Sequence, residues 1–99
     1  MKLPVAVTVG MTKYSVEQPL KMKTLWRRGE LNYVTKVISV AKRSNMSDRL
    51  FSSEERCDTM WHELVHAALY DMGNPLHRDE DFVTALSVRL SGAVANAEF

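Results

Sequence analysis

Apolar and polar residues alternate with a period of two through the first forty positions, and the pattern then changes to a helical one. Val5, Val7 and Val9 alternate with Ala6 and Thr8 and stop at Gly10. Lys13-Tyr14-Ser15-Val16-Glu17 resumes the alternation after Gly10-Met11-Thr12, so the two runs predict a hairpin that Pro19 ends. Leu20 to Arg28 follows neither period; Leu25-Trp26 is an apolar spot in a basic stretch, and Gly29 punctuates it. Glu30 to Val40 predicts a strand pair or one bent strand, with the β-branched run Val37-Ile38-Ser39-Val40 its clearest part. Ala41 to Leu50 is a polar connection.

Beyond it, Ser52 followed three residues later by Glu55 is a capping-box signature. Glu54, Glu55 and Asp58 suit the positive end of a helix. Met60, Trp61, Leu64, Val65, Ala68, Leu69 and Met72 supply a broad apolar surface. Gly73 can take the left-handed stop, with Pro75 behind it, so the spacing predicts a helix over about residues 53–72. Phe82, Val83, Leu86, Leu90 and Val94 then recur at helical spacing behind Asp79, Glu80 and Asp81, which predicts a second helix over residues 79–95 and a frayed end to Phe99. The expected fold is α+β: a small N-terminal antiparallel sheet, residues 3–40, packed on two C-terminal helices in a single domain over residues 1–99.

Composition narrows the function classes. A chain of 99 residues buries a modest core, which a bound metal would help. There is no run of 18 apolar residues, so no membrane span is expected. The start, Met1 to Val7, lacks the long apolar region of a secretory signal. One cysteine, Cys57, excludes an internal disulfide and fits a reducing cytoplasm. On its helix Cys57 reads as a small apolar or semi-exposed thiol, and Trp61 as a core residue rather than a substrate contact.

The net charge of +1 hides a split. Residues 1–50 carry 10 Lys and Arg against 3 Asp and Glu, a balance of +7, and residues 51–99 carry 3 against 9, a balance of −6. The plainer reading is that the halves attract each other in the folded chain. The sharper one is a basic face of Lys21, Lys23, Arg27, Arg28, Lys42 and Arg43 that meets an acidic partner or nucleic acid.

The candidate chemistry lies in His62-Glu63-Leu64-Val65-His66. On a helix the two histidines share a face and can reach one Zn²⁺, with Glu63 beside them as general base for water at the metal. A catalytic zinc needs a third protein ligand and keeps a position open. The metzincin continuation fails, because it needs Gly at position 69 and His at 72, where the chain has Leu69 and Met72. The remaining candidates are Glu80, His77, Asp81 and Asp79. Glu80 is favoured, since a carboxylate at the start of the second helix can face the first across a short turn. That choice requires Val83 and Leu86, or Phe82 and Leu86, to pack against the first helix. Without the pentad, the acidic cluster would be an ordinary helix start, and His77 a solvated loop histidine. Tyr70, Tyr33, His77 and Arg78 are the candidate oxyanion donors, and Asp71, Asp79 and Asp81 the candidate acceptors behind the imidazoles. The strand Val37–Val40 is either an edge that pairs with an extended substrate or an internal strand.

These residues resemble small phage and prophage metallopeptidase-like proteins in the neighbourhood of the ImmA/IrrE-type gluzincins. The likeness runs from Val7-Thr8-Val9-Gly10 and Tyr14-Ser15-Val16-Glu17 through Gly29 to Tyr33 and Lys36 to Val40. It continues through Met60 to Leu69 and ends on Asp79-Glu80-Asp81-Phe82-Val83. The last segment carries the third-ligand role onto Glu80. SprT-like proteins are a second resemblance, though the interval from His77 to Phe82 is one residue longer than theirs. The gluzincin resemblance implies a small sheet on two helices, zinc between them, and cleavage of a regulatory protein such as a repressor. The gap from His66 to Glu80 is short, and the large C-terminal domains of longer relatives are missing, so general proteolysis is not expected. The resulting expectation is a zinc metallopeptidase with a narrow protein or peptide substrate. The alternative is a metal-stabilised binding module that docks to a host or phage protein without catalysis.

Overall fold

Two layers follow from the two periodicities, as seen in a computed structural model that describes residues 2–99. The strands are β1 (Ala6–Val9), β2 (Thr12–Glu17), β3 (Gly29–Asn32) and β4 (Val37–Val40). The helices are α1 (Ser53–Asp71) and α2 (Glu80–Ala95), joined by a 3₁₀ turn over Pro75–Arg78. The expected α+β arrangement, with an N-terminal sheet and C-terminal helices, is present.

β1 and β2 form the expected antiparallel hairpin, with Ala6 opposite Ser15 and Val9 opposite Thr12. Gly10 turns it at φ +61°, and a Cβ there would come within 2.3 Å of the Asp71 carboxylate, so the hairpin tip lies against the end of α1.

The sheet order is β1-β2-β4-β3, and β2 runs parallel to β4. The sheet is therefore mixed, where the sequence predicted an antiparallel one. Residues 18–28 carry the chain past one strand position to β3 at the far edge, and β4 returns antiparallel to β3 into the gap. Ile38 and Val40 explain the placement: both are fully buried, and the most apolar strand takes an interior position. Of the two roles open to Val37–Val40, the internal one is observed, and the edges are β1 and β3.

Leu3, Tyr14, Ile38, Val40, Met60 and Ala67 form the core between sheet and α1, and the half-buried Cys57 packs against it. Trp61 is also half-buried. A second cluster, Val65, Leu69 and Val83 with Leu86, joins α1 to α2. This is one of the two packings that a ligand role for Glu80 requires.

The helix ends obey their caps. The Ser52 side chain accepts from the Glu55 amide while Glu55 accepts from the Ser52 amide, closing the capping box. Asp79 caps α2 by accepting from the Phe82 amide at 3.0 Å. Asn74 accepts from the Leu76 amide to start the 3₁₀ turn, which the sequence did not reveal.

Charge links the halves at the start of α1. Arg49 grips Glu55 through two bonds of 2.8 and 2.9 Å, and Arg28 reaches it at 3.4 Å. Both guanidiniums also lie over the Phe51 ring. No helix of the described residues is long and apolar enough to cross a membrane.

Candidate metal centre

Four-residue spacing on α1 brings the Nε2 atoms of His62 and His66 to 3.2 Å from each other. The first residue of α2 supplies the third donor. Glu80 places Oε2 3.0 Å from His62 Nε2 and Oε1 3.0 Å from His66 Nε2. The three residues form a group able to hold a metal ion.

The protons favour that role. His66 Nδ1 is 2.7 Å from the backbone carbonyl of His77. A carbonyl only accepts, so Nδ1 carries the proton and, in the neutral ring, Nε2 presents a lone pair. That lone pair faces a carboxylate oxygen at 3.0 Å, and a proton or a cation must lie between two such acceptors. Burial pushes the His62 pKa down and the neighbouring His66 adds to this, against an upward pull from Glu80. The neutral imidazole that a metal needs is thereby favoured.

The other third-ligand candidates lie elsewhere. The His77 ring stands edge-on to Tyr70 at 5.4 Å and to Tyr33 at 6.2 Å, outside the donor group. Asp79 is committed to its cap, and Asp81 is exposed in the first turn of α2. Asp71 lies at the hairpin tip. Among the described residues none of the three aspartates bonds to an imidazole; for His66 the partner is the His77 main chain. A main-chain acceptor leaves no trace in residue identity.

Glu63 follows His62 on the helix and turns inward, 7% exposed. Its carboxyl is pushed up to about 7, chiefly by burial and then by the Glu80 charge, while Arg27 pulls it down. β3 comes very close here. A Cβ on Gly29 would lie 2.5 Å from Thr59 Cγ2, 2.8 Å from the Ser39 carbonyl oxygen and 3.4 Å from Glu63 Oε2. Gly29, which the sequence marks only as punctuation, lets the strand run against the helix beside the proposed base.

Donors and Glu63 open on a cleft of about 730 Å³ that Tyr33, His77 and Arg78 also line. Tyr70 stacks on Tyr33 with centroids 4.1 Å apart and is not among the lining residues. The Tyr33 hydroxyl pKa is raised, by burial first and by the Glu63 charge second.

Comparison of the chain with protein-family profiles, curated proteins and solved structures gives no match.

Proposed function

We propose that the chain is a zinc-dependent metallopeptidase acting on a narrow protein substrate. The observation that carries this is the convergence of His62, His66 and Glu80 beside the buried carboxyl of Glu63. A tetrahedral zinc with bonds of about 2.0–2.1 Å holds its donors about 3.3 Å apart. The 3.2 Å between the two Nε2 atoms suits that size, and each Nε2 lies 3.0 Å from one of the two Glu80 oxygens, with one donor atom from each residue within 4.8 Å of the others. Three protein donors leave a fourth position open, as catalytic zinc requires. A bound zinc would acidify water and polarise the scissile carbonyl.

The chain's own residues supply the rest. Glu63 accepts the proton of the attacking water and returns it to the leaving amine. Tyr33, His77 and Arg78 line the cleft as donors to the oxygen on which charge develops.

An extended substrate can pair with the open side of β3. The Ala41 amide donates to the Arg28 carbonyl at 2.9 Å, which sets the alternation of the β3–β4 ladder. By that alternation the main-chain groups of Gly29 and Leu31 point away from β4, towards the free edge. Support also comes from the gluzincin resemblance, which implies zinc between two helices and a glutamate as third ligand.

Zinc content by mass spectrometry and cleavage of candidate proteins, each with Glu63→Gln alongside, test the proposal. One zinc per chain in both proteins, with cleavage lost only in the variant, is the expected result. Zinc without cleavage in the unaltered chain would favour the metal-stabilised binding module, and no zinc uptake would end the proposal.

A further inference from the structure

The segment before β3 is costly in a way the fold does not use. Trp26 sits at φ +71°, a conformation that is an outlier for a bulky residue. The residue is 79% exposed, so the strain gains no core packing. The segment is nonetheless firmly tied. Amides of Lys42 and Arg43 donate to the carbonyls of Pro19 and Leu20 at 2.9 and 2.8 Å, and the Asn45 side chain donates to those of Met22 and Thr24 at 2.9 and 2.8 Å. Lys21 pairs with Asp48 at 2.7 Å. These bonds hold an exposed indole at the wall of the metal cleft, which Trp26 and Arg27 both line.

The charges of the cleft are unevenly matched. Glu55 is taken by Arg49 and Arg28. Asp58 accepts from the Ser91 hydroxyl, Glu80 faces the histidines, and Glu63 is buried. Arg27 and Arg78 have no ion-pair partner among the described residues. An anionic substrate group therefore meets two guanidiniums that have no ion-pair partner, while the exposed Asp58 carboxylate of the cleft is turned to the Ser91 hydroxyl of α2.

We infer that the cleft selects peptides in which an aspartate or glutamate stands beside a large apolar residue, with Trp26 receiving the apolar side chain and Arg27 the carboxylate. Indole and guanidinium are the residue types that dominate such recognition, because one offers a large rigid face and the other a planar fork matched to a carboxylate. The inference names a substrate class for the proposed peptidase and rests on that reading, but recognition can be measured without cleavage.

The test uses the full chain carrying Glu63→Gln, loaded with zinc, against a displayed library of random dodecapeptides. Selected peptides are expected to be enriched in acidic residues next to Phe, Leu, Met or Trp. Binding of a selected peptide should weaken about 10-fold on adding either Arg27→Glu or Trp26→Ala. Lys13→Glu, on β2 and outside the cleft, should leave it unchanged. Circular dichroism confirms that each variant folds, and Arg27→Ala stands in if the charge reversal does not. Selection of peptides without acidic residues, equal binding by the Arg27 variants, selection of nothing, or displacement by a single-stranded oligonucleotide would each overturn the inference. Zinc content of the same preparation judges the peptidase reading separately, since acidic peptides captured by a chain unable to bind zinc would keep the recognition and remove the catalysis.

Discussion

Glu55 and Glu63 lie on one helix two turns apart and are driven in opposite directions. Glu55 is held down at about 2, first by the Arg49 side chain and then by the Ser52 amide. Glu63 is pushed up to about 7 because burial is its largest influence and no cation grips it as Arg49 grips Glu55. The first carboxylate spends its charge on neighbours, which is what a structural residue does. The second keeps a proton within reach near neutral pH, as the general base of the proposed reaction would need to. The difference lies in the surroundings and not in the residue type.

The sharpest way to break this contrast is Glu63→Gln. It should lower peptide hydrolysis by about 10²- to 10⁴-fold while the chain still folds and binds metal, as read by turnover and by mass spectrometry. If Glu55→Gln lowered turnover as much, the contrast would be wrong. Next in size is His66→Ala, which removes a donor and the anchor to the His77 carbonyl. Metal content per chain should fall to background, whereas Glu55→Ala should leave it intact.

Gly29→Ala separates packing from chemistry. The added methyl meets Thr59 and the Ser39 carbonyl, so unfolding in urea should show a loss of about 1–3 kcal/mol. Removing Glu55 acts by a different route, through the capping box and two exposed pairs. Glu55→Ala should cost about 1 kcal/mol in the same assay, with no change in the zinc-bound fraction.

The smallest effect is in acid. The folded pKa of Glu55 lies below its unfolded value, so its contribution is complete above about 4.5 and fades as pH falls through about 2. Thermal melts of the unaltered chain should show this extra acid sensitivity. Glu55→Gln should flatten it within that window.

Much of the helical half was legible because its signals are local. Ser52 and Glu55 mark a start, Gly73 a stop, and the pentad a shared face. Glu80 could be favoured because it opens the second helix across a short turn from the first, a choice that then required Val83 and Leu86, or Phe82 and Leu86, to face α1. The sheet was less legible: alternation says which face a side chain takes but not which way its strand runs. Nothing in Val37–Val40 shows that β4 enters between β2 and β3. The His77 carbonyl, the approach at Gly29 and the turn at Trp26 were hidden because each depends on main-chain geometry created by distant contacts.

The donors His62, His66 and Glu80 span nineteen positions on a helical hairpin, and the loop that closes them is short. The Glu63 carboxyl, in contrast, lies beside β3, whose Gly29 comes thirty-four positions earlier in the chain. On the proposed reading, metal capture and proton handling would thus rest on separate parts of one small fold. A change that removed the strand contact would leave all three metal-holding side chains in place, so such a variant could still act as a metal-bearing adaptor.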